Sequence, residues 1–286
     1  MIIAEIIESS LLNEKSSYYE LSILIGVDSL VFVVFDEQKR LLALKHWQFE
    51  KFSPFRIEHY EIAFRNEPIL GLEFKTVNIG IQNRRYTLIP SKFYNENRRE
   101  SYLKNLVDFD KKDLVFMDRI PDEQICNVFA FPKNVFDFLK MKYPNCSIYH
   151  GTTPMLHGFS HLVKNLPGEN MLVNFRPEEI DITLFKNGKL RFLNSYPISN
   201  ERDNMYFILL IFEQFGLKQS SQEVFITGQI IPKSDIFRQL KRYIPKLKLL
   251  ETFHDLRTGD KFKAGKNNHR YFDILSFNAY AHDSGL

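Results

Sequence analysis

The sequence predicts a mixed α/β fold built twice, each copy running strand, strand, strand, helix, strand, helix, strand, helix. Three observations predict it. Both copies open on an apolar strand, at residues 19–25 and 171–175. In both, a second strand with apolar even positions follows: Leu30, Phe32 and Val34 in one, Ile180, Ile182 and Leu184 in the other. In both, a later apolar run (128–131 and 224–226) leads to a helix introduced by Pro-Lys, at Pro132-Lys133 and Pro232-Lys233. Period-two alternation is the strand signal. Pro at a helix start removes only an N–H that has no partner there. Agreement of element order and punctuation across two stretches of one chain is the mark of an internal duplication.

The elements follow in order. Residues 1–18 read as a polar, loosely held lead-in. Strands are expected near 19–25, 30–36 and 40–47, with the polar turn Asp36-Glu37-Gln38-Lys39 between the last two. The second copy repeats this with Lys186-Asn187-Gly188-Lys189, and Asn-Gly is a tight-hairpin signal. A helix is expected near 55–66. Gly71 opens a segment, 71–120, that the second copy lacks. It holds extended stretches at 74–81 and 85–89, a charged stretch at 95–106 and an apolar one at 113–120. The first copy resumes at Ile125, with 128–133 matched to 224–229, and closes with a helix near 152–165. The two amphipathic helices end alike, at Lys142-Tyr143-Pro144 and Arg242-Tyr243-Ile244-Pro245. The domains are therefore expected to be a lead-in at 1–18, a first half at 19–166 with its insertion at 71–120, and a second half at 167–286, hinged at Leu166-Pro167-Gly168-Glu169. A final helix is expected at 269–281.

Composition fits such a chain. Its 286 residues suffice for two real cores. Lys+Arg 38 against Asp+Glu 35 leaves +3, which sets no strong demand for nucleic acid or anionic lipid. Phe 27 and Tyr 13 point to aromatic-rich cores. Cys126 and Cys146 read as core thiols in a reducing compartment. The opening Met1-Ile2-Ile3-Ala4-Glu5 is unlike a signal peptide, and no apolar run approaches the ~20 residues of a membrane span, so a cytoplasmic protein is expected.

Three turns carry a resemblance. They are Gly26-Val27-Asp28-Ser29, Asn174-Phe175-Arg176-Pro177-Glu178-Glu179 and Thr227-Gly228-Gln229. With the element order, they make the chain similar to the actin-like ATPase superfamily, a duplicated ribonuclease H-like fold with two βββαβαβα halves around a cleft. Within it the chain resembles the divergent bacterial branch of PilM and the type II secretion L protein, and above all a bacterial domain-of-unknown-function family assigned to that fold. The resemblance implies ATP held between the halves by backbone N–H groups of small-residue turns. It nominates Gly26, Asp28, Ser29, Arg176, Thr227 and Gly228 as a degenerate nucleotide site. The departures are specific. In the first turn Gly precedes Asp, whereas the family places Asp first. The second turn has no Gly, carries Glu178 and Glu179 where phosphate should lie, and loses a donor at Pro177. The third keeps one Gly of a pair. Phosphoryl transfer depends almost wholly on positioning and charge, so loss of ATP hydrolysis is expected. No cofactor is expected, ATP and Mg²⁺ being the ones this fold admits.

Other constellations have simpler readings. His157 and His161 stand at i, i+4 near His150, but without a third ligand they read as a core or surface pair. Gly151-Thr152-Thr153 reads as a helix cap. Within 71–120, Arg84, Arg85, Tyr86, Phe93 and Tyr94 combine the residue types enriched at interface cores and are nominated as a partner-binding surface. The same mixture suits RNA, diluted by Glu96, Glu100 and the acids at 108–110. The expected function is a non-catalytic actin-like scaffold for a protein partner. The alternatives are a nucleotide-binding ATPase or switch with atypical phosphate loops, and an RNA-associated accessory protein. No hydrolase constellation assembles.

Overall fold

The computed structural model describes residues 1–49, 55–108, 110–120, 123–250, 257–263 and 268–283. In chain order the strands are β1 (Ile2–Ile7), β2 (Glu20–Ile25), β3 (Ser29–Phe35), β4 (Arg40–Gln48), β5 (Thr76–Ile81), β6 (Tyr86–Pro90), β7 (Asp113–Ile120), β8 (Ile125–Pro132), β9 (Ser147–His150), β10 (Glu169–Phe175), β11 (Glu179–Lys186), β12 (Lys189–Pro197), β13 (Glu223–Gly228), β14 (Leu247–Leu249) and β15 (Arg257–Thr258). The helices are α1 (Ile57–Asn66), α2 (Lys133–Lys142), α3 (Thr152–Val163), α4 (Glu201–Gln214), α5 (Asp235–Tyr243), α6 (Asp260–Lys263) and α7 (Phe272–Asp283). The chain forms two compact units. One comprises Met1–Met155, His254–Lys266 and Ile274–Leu286, the other Leu156–Phe253 and Asn267–Asp273.

The duplication is written in the sheets. The first unit's main sheet runs β1-β4-β3-β2-β5-β9, with β15 beside β4, and the second unit's sheet runs β12-β11-β10-β13-β14. Without β1 and β15, both have the order third, second, first, fourth, fifth. The first three strands pair antiparallel and the rest parallel in each. Even the irregularity repeats: the register shifts between Val34 and Phe35 in one hairpin and between Leu184 and Phe185 in the other. A bulge at a matched place bends both hairpins alike.

Each sheet is buried by its own helices. In the first unit Leu21, Ile23, Phe32 and Ile79 pack with Tyr60 and Phe64 of α1 and with Val135, Phe138 and Leu139 of α2. In the second, Met171, Val173, Ile182 and Val224 pack with Ile208, Ile211 and Phe212 of α4 and with Leu240 of α5. β2, β3, β10 and β11 are buried along nearly their whole length, which explains runs more uniformly apolar than strict alternation. α4 is launched by a capping box, Asn200 with Asp203. No helix among the described residues is long and apolar enough to cross a membrane.

Four sequence expectations change. The lead-in is a strand: β1 pairs with β4, and Glu5 and Glu67 both reach Lys45, at 2.6 and 2.5 Å. β5, inside the stretch read as insertion, is the first copy's fourth strand, lying against β2 as β13 lies against β10. The match of 128–133 to 224–229 is therefore set aside, since β8 belongs to a separate three-stranded sheet, β6-β8-β7. Asn78 and Gly80 weaken the apolar signal of β5, while Val-Phe-Ala-Phe of β8 mimics Val-Phe-Ile of β13. The last helix, read as second-half, belongs from Ile274 onward to the first unit.

That last change has a local cause at Gly80. A Cβ there would meet Phe277 Cζ at 2.6 Å and Leu24 Cδ1 at 2.9 Å, so the missing side chain admits α7 onto the sheet. Gly80→Ala is expected to destabilise the protein by about 1–3 kcal/mol, read as a lower melting temperature, and Phe277→Leu in that background is expected to restore part of the loss. An unchanged melting temperature for Gly80→Ala would contradict this packing.

Candidate functional site

The six nominated nucleotide residues fall on three turns, one in the first unit and two in the second. In the first unit, Gly26 to Asp28 link β2 to β3. Gly26 N–H donates to the Ser29 carbonyl at 2.9 Å, and Gly26 C=O accepts from the Tyr60 hydroxyl at 2.8 Å. Asp28 C=O accepts from Phe49 N–H at 2.7 Å and from Gln48 Nε2 at 3.1 Å. A Cβ on Gly26 would lie 2.6 Å from Ser29 Oγ, so the serine hydroxyl lies over the glycine. Burial, with the Asp28 charge adding to it, pushes the Tyr60 phenol well above its ordinary range, so it remains a donor. This turn keeps the small residues that phosphate contact needs, and its backbone is pinned from α1 and the end of β4.

The second unit closes the matching turn with the same bond: Arg176 N–H donates to Glu179 C=O at 2.9 Å. Arg176 therefore stands where the first half has Gly26. Its Nη2 lies 2.8 Å from Asp181 and 3.7 Å from Asp273, and its Nε lies 3.8 Å from Glu179. Asp181 is completely buried; its other contacts are Asn174 Nδ2 at 3.2 Å and Ser195 Oγ at 2.6 Å, both donating. The guanidinium at this turn is thus held by the protein's own carboxylates.

The third turn ends β13. The buried Thr227 hydroxyl donates to the His269 carbonyl, and His269 Nε2 donates to Ile230 C=O at 2.9 Å. Gly228 has φ +83, and a Cβ there would collide with the Phe175 carbonyl and the Asn174 side chain. Next to it, Gln229 N–H donates to Phe175 C=O at 2.7 Å, as Gln82 N–H donates to Ile25 C=O at 2.8 Å in the first half. Close approach to β10 is by itself enough to require Gly at 228.

The nominated partner surface is dispersed. Arg85 Nη1 holds Asp113 at 2.6 Å, and Arg84 is exposed. Tyr86 packs on His150, ring centroids 4.5 Å apart. Tyr94 stacks on Tyr102 at 5.8 Å and donates to Glu96. Phe93 stands 65% exposed, with the Lys92 ammonium 4.9 Å over its ring. His157 and His161 have ring centroids 4.3 Å apart, and no group of three metal-ligating side chains occurs among the described residues.

Sequence reasoning missed a buried polar network at the carboxyl ends of β5 and β9. His150 Nε2 donates to Asn83 C=O at 3.0 Å, so Nδ1 is the acceptor facing the Thr152 hydroxyl at 2.7 Å. Asn127 Nδ2 donates to Thr152 and Thr153 Oγ1, each at 3.1 Å. Thr153 Oγ1 and His150 N–H both donate to Asp118 Oδ2, at 2.7 and 2.8 Å. The chain of bonds joins the three-stranded sheet, through Asp118 and Asn127, to the start of α3. Burial pushes the Asp118 carboxyl up to about 7 against those two donors, and its charge in turn raises the already buried phenols of Tyr149 and Tyr280.

Comparison with known proteins follows the same lines. The family described as "Protein of unknown function (DUF3822)" matches residues 8–247. No curated protein matches. Among solved structures, a Bacteroides thetaiotaomicron protein with an actin-like ATPase fold and unknown function is 22% identical, with TM-score 0.80 over 95% of this chain and 99% of that one. A PilM–PilN type IV pilus biogenesis complex matches at 11% identity and TM-score 0.65, covering 91% of this chain and 98% of that one. The fold is the actin-like ATPase fold.

Two outcomes are expected. Arg176→Gln strands the buried Asp181 carboxylate and is expected to cost about 3–5 kcal/mol in denaturant unfolding, largely recovered by adding Asp181→Asn. Wild-type stability in Arg176→Gln would mean that the guanidinium serves something outside the fold. For Asp118, a carboxyl raised from 3.8 to about 7 holds its proton more tightly when folded. The stability it contributes is complete below its unfolded value and is lost as pH rises through about 7. Between pH 4 and 8, wild type should therefore lose stability relative to Asp118→Asn; parallel curves would refute the assignment.

Proposed function

We propose that this chain, which belongs to the DUF3822 family, is a non-catalytic actin-like scaffold that binds a protein partner. The observation that carries the reading is the commitment of Arg176 to Asp181, with Glu179 and Asp273 beside it. A cation at a phosphate turn assists phosphoryl transfer only where it neutralises charge developing on the phosphate. Here it neutralises the protein's own carboxylates. Thr227 and Gly228 are likewise occupied by contacts within the second unit. Partner binding is carried over from the PilM–PilN complex, a fold neighbour solved together with a second protein. The reading takes the protein to act in the cytoplasm.

Nucleotide binding without turnover is the second reading, favoured by the small residues Gly26 and Ser29 in the first turn. RNA association is supported less, because Arg85 is paired with Asp113 and Tyr86 packs on His150. Purified full-length protein with Mg²⁺ and ATP is expected to release no phosphate above a no-protein control. Steady release that falls on Asp28→Ala would overturn the scaffold reading. ATP binding by calorimetry without release would favour the second one.

A further inference from the structure

We infer that the basic face of α5 and the turn after it docks an acidic segment of a partner protein. The inference rests on the scaffold reading and names a surface and a partner chemistry for it. Residues 231–248 hold six Lys and Arg against one Asp, a net +5, while the whole chain carries +3; the remainder is at −2. The run thus carries more positive charge than the chain as a whole, and it belongs to the second unit, outside the segment that sequence reasoning nominated.

Half of these cations have internal work. Arg238 reaches Asp235 at 2.5 Å and the Lys233 carbonyl at 2.5 Å. Lys241 Nζ donates to Leu247 C=O at 2.8 Å, and Lys248 pairs with Glu223 at 2.8 Å. Lys233, Arg242 and Lys246 are exposed and have no acidic partner among the described residues. A helix C-terminus favours cations, which accounts for Arg242 in part. It does not account for Lys233, which precedes the N-terminus of α5, where the helix dipole disfavours positive charge, and which adopts φ 67 in the left-handed region. The Lys233 carbonyl accepts from Arg238, but its ammonium has no acidic partner among the described residues.

The face also carries apolar surface. Ile231 is 59% and Tyr243 51% exposed, one at the start of the basic run and the other at the end of α5. Tyr243 beside Arg242 pairs two residue types enriched at interface cores, and Lys233 and Lys246 suit a polar rim. The nine-residue helix is ~13 Å long, about the reach of four extended residues. A short acidic segment with an apolar residue at its end therefore spans the face. Nucleic acid fits less well: a duplex offers a long phosphate ladder and single strands need several stacking rings, whereas this face has three uncommitted cations and one exposed aromatic. α5 holds to its core through Leu240, Ile236, Phe237 and the following Ile244, so the cations can be changed without touching what anchors the helix.

The test uses the full chain and fluorescence anisotropy with three probes: a short Glu-rich peptide ending in Phe, the same peptide with Gln for Glu, and a DNA duplex. The Glu peptide is expected to bind and the Gln peptide to bind far more weakly. Lys233→Glu, Arg242→Glu and Lys246→Glu together should weaken the Glu peptide about tenfold or more with the melting temperature unchanged. Should charge reversal lower the melting temperature, the Lys233→Gln, Arg242→Gln, Lys246→Gln variant is read by the same criterion. Equal affinity of wild type and variant, equal affinity for both peptides, or tighter binding of the duplex overturns the inference. ATP turnover would remove the scaffold reading while leaving the peptide result to decide this surface. A partner held equally well by wild type and triple variant would overturn this surface and leave the scaffold reading in place.

Discussion

A carboxylate without water around it needs its counter-charge from the protein. Asp181 is fully buried near the start of β11, and Arg176 supplies that charge from the turn between β10 and β11. The pair fixes more than a local contact. Asn174 and Ser195 donate to the same carboxylate, and Arg176 fills the position that is Gly26 in the other half. Removing either charge alone leaves the other buried and unpaired, so the arrangement resists change one residue at a time. A turn built this way is stable for reasons independent of any ligand.

The two halves solve the same backbone problem differently. Both hairpins close with one N–H to C=O bond at matched positions, and both fourth strands return an amide N–H to the last residue of the first strand. Backbone geometry has been kept while side chains have diverged. The first turn remains small and polar; the second has become a charged, self-satisfied cluster. The outer edges diverge as well. β1 covers β4 in the first unit, whereas β12 has no described partner beyond β11 and presents Lys189, Arg191 and Pro197 at exposed positions. Charge and Pro are what soluble proteins place on an open edge to discourage strand addition.

What was legible in the sequence follows from how strongly each element is buried. β2, β3, β10 and β11 lie in sheet centres, their apolar runs are long, and their order could be read directly. β5 could not be matched to β13, because Gly80 gives way to the Phe277 ring and Asn78 is buried without being apolar. β1 was illegible because Ile2 and Ile3 are partly exposed and the strand is held by a distant partner, through Glu5 and Lys45. At the candidate site, the absence of Gly from the second turn was visible, but the reason that Arg176 is unavailable was not: Asp181 and Asp273 are 5 and 97 positions away. The polar network of Asp118, Asn127, His150, Thr152 and Thr153 was illegible for the same reason, since it joins strands of separate sheets to a helix start.

The aromatic and basic residues of the three-stranded subdomain show why composition misleads about surfaces. Arg85 and Tyr86 are adjacent in sequence, yet their partners differ: Arg85, just before β6, meets Asp113, while Tyr86 meets His150. Tyr94 and Tyr102 stack on each other, and the Tyr102 hydroxyl donates to the Phe93 carbonyl, so these two rings have contacts within the subdomain. On α5 the opposite holds. Its apolar residues belong to the core, and of the cations on and beside it Lys233, Arg242 and Lys246 have no acidic partner among the described residues. Charge that the fold has not already paired can act on a partner directly, whereas a paired charge must first be released from its own counter-ion.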